Sequence, residues 1–183
     1  MKITKVNTYL VRPRWGFVEI ETDEGITGWG EAVLEGHAGT VLRCVEEMED
    51  YLLQADPSRI EDIWTTLYRA GFYRGGGIMM SAISGIDQAL WDIKGKMAGM
   101  PVYQLFGGKC RAGIPVYRHA DGRDLEELCE NILRYKEMGI TMIRCQCGGY
   151  GGGKFGMTPN TAPIGSHPGV YLDPRSYIRD TIK

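Results

Sequence analysis

The stretch that decides the fold is residues 81–108, SAISGIDQALWDIKGKMAGMPVYQLFGG. Its apolar residues recur at every third or fourth position, which is the period of an amphipathic α-helix. Including the residues just before it, the pattern predicts one buried helix face, made of Met79, Ala82, Ile83, Ile86, Ala89, Leu90, Ile93 and Met97. Gly99 and Pro101 then end the helix, because glycine accepts a left-handed C-terminal conformation and proline cannot continue a helix. We expect a long helix packed on a core, then a short apolar turn and a break at Gly107-Gly108.

Three strand-like segments precede this helix. Residues 3–11 alternate between polar and apolar, and residues 17–22 and 26–31 are separated by Asp23-Glu24-Gly25, which is typical of a hairpin turn. Pro13 removes a ladder donor, so residues 12–16 are predicted to form a loop. These segments predict an antiparallel β-meander.

Two further helices are predicted between the meander and residue 79. The first spans residues 40–53, and its apolar stripe contains Val41, Cys44, Val45, Met48, Tyr51 and Leu52. The second begins at Ser58, because Ser58 and Glu61 match the capping-box pattern. Its buried face is expected to contain Ile60, Ile63, Trp64 and Leu67.

After Gly108 the pattern changes to strand, helix and strand. Residues 114–119 and 141–147 read as strands, and residues 124–138 as a helix whose apolar residues Leu125, Leu128, Ile132, Leu133 and Tyr135 mostly face inward. One such βαβ unit implies a parallel sheet. A complete barrel of this kind needs ~250 residues. We therefore expect an α+β domain over residues 1–112, then the beginning of a (β/α) barrel over residues 113–183 that includes a glycine-rich loop and the start of a helix. A compact α+β protein that ends at Lys183 is the alternative.

The composition of the chain argues against several classes of binding partner. The net charge is −2, which provides no basic field for nucleic acid or an anionic membrane surface. No apolar run approaches the ~20 residues of a membrane-spanning helix. The five cysteines are too widely spaced to form a disulfide framework; they are Cys44, Cys110, Cys129, Cys145 and Cys147. Cys145 and Cys147 have no second cysteine or histidine pair at the spacing of a zinc site. We expect reduced thiols and a cytoplasmic location.

Two residues stand where barrel enzymes place their chemistry. His119 and Arg144 are expected at the ends of adjacent parallel strands, and barrel active sites lie at those ends. Such an Arg can clamp a carboxylate or lower the pKa of a neighbouring phenol, and such a His can hydrogen-bond a hydroxyl or donate a proton. The structural alternatives are a hydrogen-bonded strand-end histidine and a surface ion pair.

The chain resembles the enolase superfamily, in particular the mandelate racemase-like acid-sugar dehydratases. The resemblance is carried by residues 81–108, by Gly28-Trp29-Gly30-Glu31 and by the segment DPSR at residues 56–59. Residues 117–122 and the Arg-x-Gln at 144–146 are similar to the mannonate dehydratase branch, whereas the first loop and Glu35-Gly36 are more similar to galactonate dehydratases.

This resemblance implies a full-length enzyme that removes the proton α to a sugar-acid carboxylate and expels the β-hydroxyl. Arg144 and a tyrosine, best matched by Tyr150, would form the general base; Tyr150 is not at the family's spacing. His119 and the capping-domain residues Trp15, Glu35 and His37 would contact substrate.

The same resemblance implies Mg²⁺ held by residues beyond Lys183, with no metal ligand in this chain, and a homo-oligomer in the full-length form. The primary hypothesis is a mannonate dehydratase-like enzyme. The alternatives are a galactonate or gluconate dehydratase and a non-catalytic chain. Residues 1–183 alone are predicted to be inactive.

Overall fold

The structure, a computed structural model, describes residues 1–12, 14–122 and 124–147, without the side chains of Gln146 and Cys147. The chain divides into two compact units, with the boundary between Cys110 and Arg111. The first unit contains β1 (Ile3–Val11), β2 (Trp15–Thr22), β3 (Thr27–Glu31), α1 (Ala38–Glu47), α2 (Glu49–Leu52), α3 (Ile60–Arg69), α4 (Gly77–Met97) and α5 (Val102–Leu105). The second contains β4 (Tyr117–Gly122), α6 (Leu125–Glu137) and β5 (Met142–Cys147).

The predicted meander is confirmed as a three-stranded antiparallel sheet in the order β1-β2-β3. Gly25 provides the positive φ of 77° that the turn between β2 and β3 requires. β2 begins earlier than predicted, because Trp15 pairs with Val11 and extends the ladder with β1. The predicted loop over residues 12–16 is therefore shorter, and Trp15 belongs to a strand.

The predicted helix over residues 40–53 is two helices instead. The Met48 amide donates to the Val45 carbonyl, a tight i→i−3 bond that ends α1 before α2 begins at Glu49. This break rotates the following turn, so Tyr51 is 52% exposed although Leu52 is buried. The prediction that Tyr51 lies on the buried stripe is wrong.

The predicted capping box at Ser58 is also wrong. The Ser58 amide donates to the Asp56 carboxylate at 2.9 Å, so this segment forms a local turn and the helix begins at Ile60. Arg59 occupies the N-cap and makes no side-chain cap bond. The buried face of α3 is confirmed for Ile60, Ile63 and Leu67, while Trp64 is partly buried.

Helix α4 is the central helix of the first unit, as the sequence predicts. The two ends of the predicted stripe behave differently, because Met79 is partly buried and Met97 is 46% exposed. Met97 is the last helical residue, beyond the final buried turn. The stop is confirmed, since Gly99 has φ of 63° and the Met100 amide donates to the Gly95 carbonyl. The inward residues of α4 that are buried are Ala82, Ile83, Ile86, Ala89, Leu90 and Ile93.

Strand β3 packs directly on α4 because glycines remove the side chains between them. A Cβ on Gly30 would overlap with the Gly85 carbonyl oxygen, and a Cβ on Gly28 would overlap with the Ala89 carbonyl oxygen. Backbone approaches backbone at this contact, which no residue with a side chain permits.

Polar side chains of α4 seal the free edge of β3. Gln88 accepts from the Glu31 amide at 3.1 Å, Asp92 accepts from the Trp29 amide at 2.9 Å, and Lys96 donates to the Thr27 carbonyl at 2.5 Å. These three side chains recur at every fourth position and lie on one stripe of the helix. They pair backbone groups that an edge strand otherwise leaves open.

The second unit confirms the predicted parallel βαβ arrangement, since β4 and β5 pair in parallel. β4 begins at Tyr117 rather than at residue 114, in agreement with the missing donor of Pro115. Asp124 caps α6, accepting from the Glu127 amide at 2.9 Å. Leu128 is buried, but Leu125 and Leu133 are exposed, so the predicted inward face was too wide.

Within the described residues, no helix is both long enough and apolar enough to span a membrane.

Candidate active-site residues

His119 and Arg144 are directly paired across the parallel strands β4 and β5. Neighbouring residues of one strand point to opposite faces, so the flanking side chains define the direction. Arg118 lies over the Tyr135 ring of α6 at 5.2 Å, and Ala120 is fully buried. His119 and Arg144 therefore lie on the face that points away from α6.

Both residues stand inside their strands and not at the strand ends that were predicted. His119 is followed in β4 by residues 120–122, and Arg144 is followed in β5 by residues 145–147. The prediction for His119 was wrong because β4 runs three residues further than the sequence pattern indicated, whereas Arg144 lies in the middle of a strand whose C-terminal end at residue 147 agrees with the predicted one. The shared face still brings the imidazole and the guanidinium to one side of the sheet.

The surroundings of this pair leave both side chains available. The His119 ring is half-buried and lies 5.2 Å from the Tyr117 ring, whereas Arg144 is exposed. Neither side chain has a hydrogen bond or an ion pair within the described part of the chain. A guanidinium and an imidazole in this state can bind the carboxylate and a hydroxyl of one ligand.

In the first unit, Arg14 connects two of the predicted substrate-binding residues. Its guanidinium lies 5.3 Å from the centre of the Trp15 ring and forms an ion pair with Glu35. Trp15 belongs to the start of β2, and Glu35 belongs to the segment after β3. The contact joins these two segments and compensates the Glu35 charge.

The predicted site residues His37 and Tyr150 are not part of this cluster among the described residues. His37 is exposed and precedes α1, where its carbonyl accepts from the Val41 amide. Within the described residues, His37 is joined to neither Trp15 nor Glu35 by a hydrogen bond, an ion pair or a ring contact. Tyr150 lies outside the described residues.

Sequence reasoning missed two residues of these clusters. Arg14 was read only as part of a loop, although its position next to Trp15 is compatible with a cation–π contact. Tyr117 could have been found from its spacing, because residues two apart on a strand share a face. It lies on the His119 face and contacts that ring.

Among the described residues, no group of three or more His, Cys, Asp or Glu side chains is arranged to hold a metal ion. These residues therefore provide no fit for a metal site.

Comparison with known proteins places this fold in a family. The mandelate racemase / muconate lactonizing enzyme N-terminal domain family matches residues 6–107. The chain is 49% identical over 183 residues to a D-galactonate dehydratase of Pectobacterium atrosepticum, covering all of this chain and 47% of that protein. It is 55% identical over 144 residues to a D-galactonate dehydratase of Xanthomonas euvesicatoria pv. vesicatoria, covering 79% of this chain and 38% of that protein.

A solved structure shows the same relationship. An enolase from Pantoea ananatis, crystallised with bound D-gluconate and Mg, has a TM-score of 0.81 and 41% identity. The match covers 97% of this chain and 48% of that one. The chain thus spans about half the length or less of these relatives, and galactonate and gluconate are the sugar acids in the names of the three relatives described here. The first unit is the capping domain of this superfamily, the βαβ unit is the beginning of its barrel, and the chain belongs to the mandelate racemase / muconate lactonizing enzyme family of the enolase superfamily.

Proposed function

We propose that the whole protein is an acid-sugar dehydratase with D-galactonate or D-gluconate as its substrate. The reaction removes the proton from C2, next to the carboxylate, and the C3 hydroxyl leaves as water; the resulting enol becomes a 2-keto-3-deoxy acid. The observation that carries this proposal is the 49% identity to a D-galactonate dehydratase over all 183 residues. The gluconate-bound relative of similar fold supports the same substrate class.

The His119–Arg144 pair supplies the chemistry that such a substrate needs on the barrel side. Arg144 would bind the carboxylate through paired N–H donors, because a guanidinium matches the two carboxylate oxygens. His119 would hydrogen-bond a sugar hydroxyl or donate a proton to a leaving hydroxyl. Their direct pairing in the ladder supports action on one ligand.

The general base is proposed to be Tyr150 acting with Arg144. A positive charge near a phenol favours the phenolate and lowers the pKa of the phenol. Proton abstraction next to a carboxylate needs such a base at neutral pH. This assignment comes from the resemblance alone, since Tyr150 lies outside the described residues.

Mg²⁺ is proposed for the whole enzyme, where it would stabilise the negative charge that develops at the substrate carboxylate. The crystal structure of the Pantoea ananatis relative contains Mg and supports this part of the proposal. The described residues do not form its site, so the ligands would come from elsewhere in the protein.

Trp15, Glu35 and His37 are proposed to contact the substrate from the capping domain. Arg14 would hold the first two in position through its ring contact and its ion pair. The Arg14–Glu35 ion pair also offsets a negative charge that would otherwise repel an anionic sugar acid.

The test is direct turnover by the full-length gene product. The purified protein would be incubated with Mg²⁺ and separately with D-galactonate, D-gluconate and D-mannonate, and the 2-keto-3-deoxy acid would be measured. We expect turnover of galactonate or gluconate to exceed that of mannonate. A higher rate with mannonate would return the assignment to the mannonate branch. An absence of turnover with any acid sugar would refute the dehydratase and favour the non-catalytic alternative.

A further inference from the structure

Asp121 is the last residue of β4 whose side chain lies on the face away from α6. His119 lies on the same face, because residues two apart on a strand share a face. Contacts on the other face agree with this placement: Ala120 is fully buried, and a Cβ on Gly122 would overlap with the Leu128 amide nitrogen of α6. Asp121 therefore stands beside His119, one step nearer the C-terminal end of the strand.

The backbone at Asp121 is held from the helix side and from the neighbouring strand. The Asn131 side chain of α6 donates to the Asp121 carbonyl at 2.7 Å. Asp121 is also paired directly with Gln146 in the parallel ladder with β5. These contacts fix the end of β4 and use neither oxygen of the Asp121 carboxylate.

The Asp121 carboxylate makes no hydrogen bond and no ion pair within the described residues. Asp124, the next acidic residue along the chain, has a structural role instead. Its carboxylate caps α6 by accepting from the Glu127 amide at 2.9 Å. The packing of β4 against α6 thus accounts for the Asp124 carboxylate but not for that of Asp121.

Asp121 lies nearer than Arg144 to the edge of the sheet where barrel enzymes bind their substrates. Barrel active sites lie at the C-terminal ends of the strands, and Arg144 pairs with His119, two residues before Asp121. Two residues span ~6.5 Å along a strand. A sugar acid whose carboxylate reaches Arg144 from this edge would extend its hydroxyl-bearing carbons back past Asp121.

We propose that Asp121 binds hydroxyls of the distal part of the sugar acid and makes the enzyme selective for monocarboxylates. This inference rests on the proposed function, in particular on the contact between Arg144 and the substrate carboxylate. A carboxylate accepts hydrogen bonds from hydroxyls, and its charge strengthens them. The same charge repels a second carboxylate at the distal end, so a sugar acid that is oxidised at both ends binds less tightly.

The experiment uses the full-length enzyme and its Asp121→Asn variant, in which the side chain keeps its shape and its hydrogen-bonding capacity but loses its charge. The substrate is D-galactonate or D-gluconate, whichever is turned over faster. The matching dicarboxylate, galactarate or D-glucarate, is added as a competitive inhibitor. We expect Asp121→Asn to lower the Ki of the dicarboxylate by about tenfold or more, and to change the KM of the monocarboxylate by less than about threefold.

Two further variants separate the charge from the hydrogen bond and from general effects. Asp121→Ala removes both the charge and the acceptor, so it should lower the Ki of the dicarboxylate less and raise the KM of the monocarboxylate by about tenfold. Asp124→Asn makes the same charge change three residues away, and asparagine caps a helix as well as aspartate does. Asp124→Asn should leave both constants within about twofold of those of the unmodified enzyme.

The contrary outcomes distinguish this inference from the proposed function. If the unmodified enzyme turns over the monocarboxylate but Asp121→Asn leaves the Ki unchanged, the selectivity role is overturned and the dehydratase remains. An equal fall of the Ki in Asp124→Asn, or a complete loss of turnover in Asp121→Asn, overturns the role as well. If the unmodified enzyme turns over neither acid, the proposed function is refuted and the inference is refuted with it.

Discussion

His119 and Arg144 are direct partners in the parallel ladder of β4 and β5, and both point away from α6. Arg118, the preceding residue of β4, lies over Tyr135 of α6 instead. Adjacent residues of one strand therefore lie on opposite faces of the sheet, one facing α6 and the other facing away from it. This division supplies a matched control for the proposed chemistry.

In the full-length enzyme, His119→Asn and Arg144→Met are each expected to lower kcat/KM for the sugar acid by about 10²-fold or more, since each removes a group proposed to contact substrate. Arg118→Met removes the same charge from the opposite face and should change kcat/KM by less than about threefold. Steady-state kinetics on the three purified variants checks this. Equal losses for Arg118→Met and Arg144→Met would contradict the assignment of faces.

Arg14→Gln is expected to raise the KM for the sugar acid by about tenfold, because Trp15 and Glu35 lose the group that joins them and Glu35 becomes an uncompensated charge. The free energy of unfolding should change by less than about 1 kcal/mol, as is usual for an exposed ion pair. Arg43→Gln breaks comparable exposed pairs with Glu46 and Glu47 on α1 and should leave KM unchanged. Steady-state kinetics measures KM, and urea titration measures the free energy of unfolding. An unaltered KM for Arg14→Gln would contradict the proposal that Arg14 positions Trp15 and Glu35.

Gly30→Ala should destabilise the chain by about 3 kcal/mol, because its Cβ would overlap with the Gly85 carbonyl oxygen, which belongs to the backbone and cannot turn aside. Gly39→Ala is the control: no atom lies within 4 Å of its Cβ position in α1. There the change should be neutral or stabilise by about 0.5–1 kcal/mol, since alanine favours a helix. Urea unfolding of both variants measures the difference, and similar stabilities would show that β3 and α4 are less tightly packed than the structure has them.

Asp92→Ala should cost about 1–2 kcal/mol, because the Trp29 amide at the edge of β3 loses its acceptor and Lys96 loses its ion pair. Asp62→Ala breaks an exposed pair with Arg59 and removes one acidic side chain from the first turn of α3, so it should cost less than about 1 kcal/mol. Both values follow from urea unfolding. If the two variants lost the same stability, Asp92 would contribute no more than a surface charge.

Asp87→Asn is expected to stabilise the chain at neutral pH. Burial raises the pKa of the Asp87 carboxyl, and the nearby Glu61 raises it further. The folded state then binds its proton more tightly than the unfolded state, so this group favours folding below its ordinary pKa and loses that contribution as pH rises through the raised value.

The gain from Asp87→Asn should therefore be present at pH 7 and vanish near pH 3, which urea unfolding at both pH values measures. Glu61→Gln should lower the pKa of Asp87 towards its usual range in an NMR titration, since one of the two causes is removed. A gain that is independent of pH would show that the effect comes from packing and not from charge.

The fold was largely predictable because its signals are local and periodic. The spacing of Ile83, Ile86, Leu90 and Ile93 requires a helical face, and the hairpin turn at Gly25 requires a residue that accepts positive φ. The errors occurred where a local bond competed with the pattern. At Ser58, the backbone amide donates a hydrogen bond to the Asp56 carboxylate and forms a local turn instead of a helix start. At Met48, a tight turn between two helices rotates the following residues, so that the apolar stripe of the first helix does not continue into the second.

The candidate site was predictable only as residue types at approximate places. Sequence alone established the order of strands and helices, the apolar faces that form the core, and the choice of His119 and Arg144. These follow from the spacing of apolar residues and from turn-forming residues, which are local properties of the sequence. Only the tertiary structure decided that these two residues share a register and a face, that Arg14 joins Trp15 to Glu35, and that α4 seals the edge of β3. These relationships join residues far apart along the chain. Strand pairing and helix packing set their distances, and no local pattern encodes them.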